Sequence, residues 1–313
     1  MITLADITAA RLRIAPFTRE TPVMPIAALR EPLACPASIV MKLELFQVTG
    51  SFKARGAMNR HLAGVDRSPA GIVTASGGNH GLAVARTADV AGVPATIFVP
   101  RTVRQEKVRK MQDWNARVEI VGDEWSVSNE AALACAAATG ASYFHPFADP
   151  LVVAGQGTLG LEIIEQIADL DAIVVAIGGG GLMAGLSTAV KAVKPGIRVI
   201  GVEPEGSPTL AASLEAKRRV RLDAVTSHVA TMSCRETDER IFQTVRQNAD
   251  SILLVPDDGM LEASRWLWKE FAIAADLSGA ASIAALQCWP GHFAGFGKVC
   301  ALVCGAGTDG IEA

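Results

Sequence analysis

The chain has 313 residues, enough for one or two domains with a sizeable core. Half of the residues are hydrophobic and only 19% are charged, which excludes a disordered chain. Against 32 acidic residues stand 29 basic ones, a net charge of −3 with no dominant Lys/Arg block, which argues against nucleic acid as a partner.

In chain order, the opening MITLADITAARLRIAP carries Asp6 and no apolar signal core, so no secretory leader is expected. Short apolar runs with strand character follow at 41–45, 71–75, 94–100, 116–121, 172–177, 197–202, 251–255 and 298–304. Between most of them lie apolar residues at helical spacing, as at 81–91, 131–138, 159–168 and 261–272. The most basic stretch, RTVRQEKVRK at 101–110, reads as the start of a solvated amphipathic helix. Alternating strands and helices predict an α/β protein with mostly parallel strands and helices on both sheet faces. No long linker separates two halves, so two domains, if present, are interleaved.

Two stretches without Asp, Glu, Lys or Arg, 172–190 and 277–297, could be mistaken for membrane spans. The first is broken by four glycines and the second by Pro290-Gly291, so buried segments explain both and no membrane is expected. The cysteines at 35, 135, 234, 288, 300 and 304 form no C-x-x-C pair. Reduced thiols, a cytoplasmic location and no zinc site are the expectation.

Three strands run into glycine-rich turns. The turn Gly178-Gly179-Gly180-Gly181 leads into LMAGLSTAVKAVK, where free amides and the positive helix end would hold an anion. The turn Ser76-Gly77-Gly78-Asn79-His80 adds a hydroxyl and an amide, and a third turn follows Cys304. Ordinary strand-to-helix punctuation accounts for a lone glycine cluster. Four adjacent glycines resist that reading, since each weakens a helix start by ~1 kcal/mol relative to Ala. A dinucleotide fingerprint is the functional rival: Gly179-x-Gly181-x-x-Ala184, with Glu203 ending the next strand as a ribose-binding acid.

Lys53 separates the two. In MKLELFQVTGSFKARGA the Thr49-Gly50-Ser51 turn should start a helix at Phe52, with Lys53 in its first turn. A cation is disfavoured there, and the same field lowers an amine's pKa, which suits a Schiff-base lysine.

This segment resembles the lysine motif of fold-type II pyridoxal-phosphate enzymes, the tryptophan synthase β-like family. TASGGNHG, DPLVVAGQGTLGLEI, GGGGLMAG, GVEPEG and LVCGAGTD occur in the family's order and extend the resemblance over nearly the whole chain. Ala54 after the lysine, where other branches carry Asp, is similar to the threonine/serine dehydratase and serine racemase branch.

The resemblance implies that Lys53 forms a Schiff base with pyridoxal 5'-phosphate, with Phe52 packed near the ring. Gly178 to Gly181 and the Leu182 amide would wrap the phosphate. Asn79 would donate to the ring 3'-oxygen, and Cys304 would face the pyridine nitrogen. Ser76, Gly77, Asn79 and His80 would take the substrate carboxylate, with Gln156 and Thr158 supporting the site. Glu203 matches one ligand of a monovalent or divalent cation, although Thr209 replaces an acidic partner.

The fold implied has a cofactor domain from 1–67 and 148–313 and a smaller inserted domain at 68–147. The activity implied is β-elimination from a hydroxy amino acid such as L-threonine or L-serine, by a homodimer without a regulatory domain. Alternatives are a racemase, a hydroxyaspartate dehydratase and, outside the family, an NAD-dependent oxidoreductase. ADLSG at 275–279 and SHVATMSC at 227–234 depart from family patterns near the substrate.

Overall fold

A computed structural model describes residues 1–64 and 67–311. Helix α1 (Leu4–Ile14) starts at Thr3, which exchanges hydrogen bonds with Asp6 in a capping box. Strands β1 (Val23–Pro25) and β2 (Ser38–Lys42) precede helix α2 (Lys53–Ala63). Next come β3 (Ile72–Ala75), α3 (Asn79–Ala91), β4 (Ala95–Val99), α4 (Gln105–Gln112), β5 (Arg117–Ile120), α5 (Trp125–Thr139) and β6 (Ser142–Tyr143). Helix α6 (Pro150–Gln166) is followed by β7 (Ala172–Ala176), α7 (Gly181–Val193), β8 (Arg198–Pro204) and α8 (Thr209–Glu215). The chain ends with α9 (Glu239–Asn248), β9 (Ser251–Val255), α10 (Asp257–Phe271), α11 (Leu277–Cys288) and β10 (Lys298–Leu302).

The strands form two sheets. One has the order β1-β2-β10-β7-β8-β9, parallel except for β1, and the other is β5-β4-β3-β6, all parallel. The central strand β7, AIVVA, is buried throughout, as expected when helices cover both faces. The expected α/β architecture is therefore found. The uncharged stretches resolve into β7, the glycine turn and α7, and into α11 with a short 3₁₀ turn. No helix among the described residues is long and apolar enough to cross a membrane.

Two departures from the expected elements have a clear physical cause. The strand expected at 41–45 is β2 at Ser38–Lys42, because the chain turns at Leu43 into a 3₁₀ turn, Glu44–Phe46. Leu43 and Leu45 are buried by that turn rather than by a strand. The helix expected at 159–168 begins earlier, at Pro150, with Asp149 accepting from the Leu151 amide at 2.8 Å. Its glycines, poor helix formers, let neighbouring helices approach. A Cβ at Gly155 would lie 2.7 Å from the Arg55 carbonyl oxygen, and one at Gly185 on α7 2.3 Å from that of Val153.

Candidate active site

Lys53 is the first residue of α2. The preceding turn needs left-handed backbone at Thr49 and Gly50, with φ of 63° and 77°. It is tied to the end of β10, since the Phe52 amide donates to the Cys304 carbonyl at 3.3 Å. The half-buried Lys53 donates from Nζ to the Pro146 carbonyl oxygen at 2.8 Å, and its amine lies 5.1 Å from the Phe52 ring centre. Burial penalises the ammonium and pulls its pKa down to about 8.

The start of α2 is held by a buried ion network. Arg55 donates to Glu44 at 2.6 and 2.9 Å and pairs with Glu162 at 2.8 Å. Lys42, fully buried, donates to Glu162 and the Thr21 carbonyl at 2.5 Å each and to Gln166 at 2.7 Å. Thr158 accepts from Arg55 at 3.3 Å. Gln156 packs against α2 one turn beyond Lys53; a Cβ at Gly56 would be 2.3 Å from its Nε2. Neither polar atom of the Gln156 side chain has a hydrogen-bond partner.

The tetraglycine turn joins β7 to α7. The amides of Gly178, Gly179, Gly180, Gly181, Leu182 and Met183 donate to no acceptor among the described residues. Side chains are excluded there by contact. A Cβ at Gly179 would be 2.3 Å from the Phe147 ring, and one at Gly181 2.8 Å from the Phe147 carbonyl oxygen. Gly180 has a φ of 88°, which favours glycine. The Gly179 carbonyl is held by the Thr237 hydroxyl at 2.9 Å.

The second turn joins β3 to α3, with Ser76, Gly77 and Asn79 half-buried. The Ser76 hydroxyl oxygen accepts from the Gly78 amide at 3.3 Å. Asn79 donates from Nδ2 to Asp276 at 2.8 Å. Nε2 of the buried His80 lies 3.2 Å from the Phe144 carbonyl oxygen, while Nδ1 has no hydrogen-bond partner. Burial and the nearby Lys53 ammonium push the His80 pKa down to about 3, so the ring is neutral.

Cys304 lies just beyond β10, 1% exposed, with its Sγ 3.4 Å from the Ser278 carbonyl oxygen. Burial and then the Asp276 charge push its pKa above the usual thiol range, so it is a neutral thiol. Glu203 is fully buried on β8 and accepts from the Leu210 and Ala211 amides of α8, at 2.8 Å each. Its carboxylate is thus spent on the helix start rather than turned to a ribose. No group of three or more His, Cys, Asp or Glu that could hold a metal ion occurs among the described residues.

Free amides, steric demand for glycine, a depressed lysine and unpartnered Ser51 Oγ and His80 Nδ1 suit a ligand carrying both a phosphate and an aldehyde. A model of the pyridoxal-phosphate dependent enzyme family matches residues 14–305. The chain belongs to this family.

Among members of the family, the L-threonine ammonia-lyase of Thermotoga maritima is 37% identical over 288 residues, covering 91% of this chain and 71% of that protein. A catabolic L-threonine dehydratase of Staphylococcus aureus is 35% identical over 289 residues, 91% of this chain and 83% of that protein. A solved threonine deaminase, from T.th., superposes with a TM-score of 0.90 at 36% identity, covering 97% of this chain and 98% of that one. Maize serine racemase gives a TM-score of 0.90 at 28% identity, covering 97% and 93%.

Phe147 and His145 lie next to the candidate site but belong to no motif of the sequence, and Asp276 stands there only as part of the departing ADLSG segment. Phe147 covers the glycine turn, and His145 accepts at Nδ1 from the Phe147 and Ala148 amides at 3.2 and 2.9 Å. Burial and then Lys53 pull the His145 pKa down to about 4. Asp276 receives Asn79. A visible signal was its place as a lone acid before an uncharged run of twenty-one residues, 277–297.

Proposed function

We propose that this protein removes water and then ammonia from a hydroxy amino acid, with L-threonine and L-serine as leading substrates, giving a 2-oxo acid. The observation that carries it is the half-buried lysine with a pKa near 8, in the same site as a glycine turn with unused amides. Pyridoxal phosphate, when bound, supplies an aldehyde for the substrate amine and an electron-withdrawing ring that acidifies the Cα–H.

The chain's own residues do the rest. The amides of Gly178 to Leu182 would hold the phosphate at the start of α7. Ser76, with the turn around Gly77, Asn79 and His80, would orient the substrate carboxylate at the start of α3. Lys53, whose amine sheds its proton within reach of neutral pH, would take the Cα proton. Lys53 would then pass that proton to the β-hydroxyl, which leaves as water, and the released unsaturated amine takes up water to give the 2-oxo acid and ammonia. The neutral Cys304 thiol cannot hold a proton on the ring nitrogen as a carboxylate would, which suits elimination.

The reading includes the division of the chain at 68–147, supported by β3 to β6 all lying in that segment. It also includes a cytoplasmic homodimer, whose oligomeric state light scattering tests. Glu203 as a cation ligand has less support, because amides already occupy both of its oxygens. One absorbance spectrum of purified protein, before and after L-threonine and L-serine, tests the central claim. A colourless protein that forms no 2-oxo acid from either substrate overturns it.

A further inference from the structure

Asp276, 8% exposed, stands between the Ser76–His80 turn and the residues just after β10. Its Oδ1 accepts from the Ser278 hydroxyl at 2.7 Å and the Gly279 amide at 2.6 Å, capping α11. Its Oδ2 accepts from Nδ2 of Asn79 at 2.8 Å. Capping needs only the first oxygen. The second makes a contact from α11 to α3, across 197 positions of sequence. Packing there is close. A Cβ at Gly305, beside Cys304, would lie 2.8 Å from both Asp276 oxygens and 3.0 Å from Nδ2 of Asn79.

An ionised carboxylate accepts and never donates, so it decides which end of the Asn79 amide faces it. Nδ2 must face Asp276, and its second N–H has no acceptor among the described residues. We infer that Asp276 is a positioning residue that locks the Asn79 amide, so that its second N–H rather than its carbonyl is offered to the cofactor. The inference rests on the pyridoxal-phosphate reading above, in which Asn79 donates to the ring oxygen. Burial raises the Asp276 pKa on balance, with hydrogen bonds from Ser278, Asn79 and Gly279 offsetting part of the rise, and the accepting contacts at both oxygens are those of a carboxylate.

Asp276→Asn separates positioning from capping. Asparagine caps a helix as well as aspartate, through its carbonyl oxygen. With that oxygen on Gly279, its NH2 group meets the NH2 of Asn79, donor against donor, and Asn79 must turn over. The test is equilibrium dialysis of holoenzyme against graded pyridoxal phosphate, with the visible spectrum recorded across pH, for wild type, Asp276→Asn, Asn79→Ala and the double variant. Asp276→Asn should melt at the wild-type temperature once stripped of cofactor, yet bind pyridoxal phosphate about tenfold more weakly, as loss of one hydrogen bond predicts. Its band should respond to pH differently from that of wild type. The double variant should lose no more than Asn79→Ala alone, because the two residues act as one unit.

Asp276→Ser, which also keeps a capping oxygen, should show the same loss and serves if the asparagine variant does not fold. Unchanged affinity and spectrum in both Asp276 variants, or independent additive losses with Asn79→Ala, would overturn the inference. If wild type itself takes up no pyridoxal phosphate, the parent reading fails instead, so the two failures are distinct.

Discussion

The amine of Lys53 is hydrogen-bonded to the carbonyl oxygen of Pro146, 93 positions away in sequence. That contact joins the first turn of α2 to the loop after β6, whose next residue, Phe147, covers the glycine turn. One loop therefore touches both the amine and the glycine turn. Lys53→Ala should abolish the visible absorbance band of bound pyridoxal phosphate together with 2-oxo acid production. Retention of the band in this variant would remove Lys53 from its role.

The same lysine sets a pH dependence of stability. In the folded, cofactor-free chain its pKa is about 8, against an ordinary lysine value of 10.5. Between those values the unfolded chain binds the extra proton, so stability rises as pH climbs through the window. Below pH 8 the folded protein bears the full cost of a buried ammonium. Lys53→Met should thus stabilise cofactor-free protein at pH 7 by roughly 2 kcal/mol, a gain that vanishes above about pH 10. Urea denaturation at pH 7 and pH 10 checks this, and an equal effect at both would refute it.

Much of this fold could be read from hydrophobic patterning, because β7 to β10 are short apolar runs between glycine and helix signals. What patterning misread has identifiable causes. The apolar run at 41–45 continued past the end of β2, since the 3₁₀ turn after it is buried too. The first turns of α6 were hidden because Gly155 and Gly157 suppress helix propensity while serving close packing. The candidate site was legible where a motif fixes the residue type, as at Lys53 and the tetraglycine. ADLSG marked the neighbourhood of Asp276, but its contact with Asn79 was illegible because it spans distant chain segments, and His145 was illegible because it lies in no motif.

The neutral histidines give an acid limit. Burial first, then Lys53, brings His80 down to about 3 and His145 to about 4, from 6.5. Below pH 6.5 the unfolded chain gains protons that the folded chain refuses, so stability falls as pH drops from 6.5 towards 4. His145→Asn keeps an acceptor near the Phe147 and Ala148 amides and removes one titration. Its urea midpoint should fall less than that of wild type between pH 7 and pH 5.

Cys304→Ser should retain elimination, since a hydroxyl is also a neutral hydrogen-bonding group. Cys304→Asp should behave differently from a simple gain of a ring partner, because Asp276 already acts on this buried position. Two neighbouring carboxylates in a dry site share a proton, raising the pKa of one of them. The expected outcome is a shifted visible band whose pH titration differs from wild type. Identical spectra and kinetics would place Cys304 away from the cofactor.

The last prediction is that the enzyme eliminates and does not racemise. Racemisation needs an acid on the cofactor face opposite Lys53, to return the Cα proton with inverted configuration. In the resemblance to serine racemases that acid is a serine two positions before the turn asparagine, and here the position is Gly77, which has no side chain. The structure explains why a simple replacement would not fit. A Cβ at Gly77 would lie 2.8 Å from a methyl of Val103, closer than real Cβ contacts come. Gly77→Ser alone should therefore destabilise the protein by about 1–3 kcal/mol, the usual cost of overpacking. Pairing it with Val103→Ala removes the obstructing methyl and should restore the melting temperature. Incubated with L-serine, wild type should yield pyruvate without D-serine, whereas the double variant should yield pyruvate with some D-serine. Chiral chromatography of the reaction decides it: substantial D-serine from wild type would mean that another group on that face, Ser76 being the nearest in sequence, already supplies the proton.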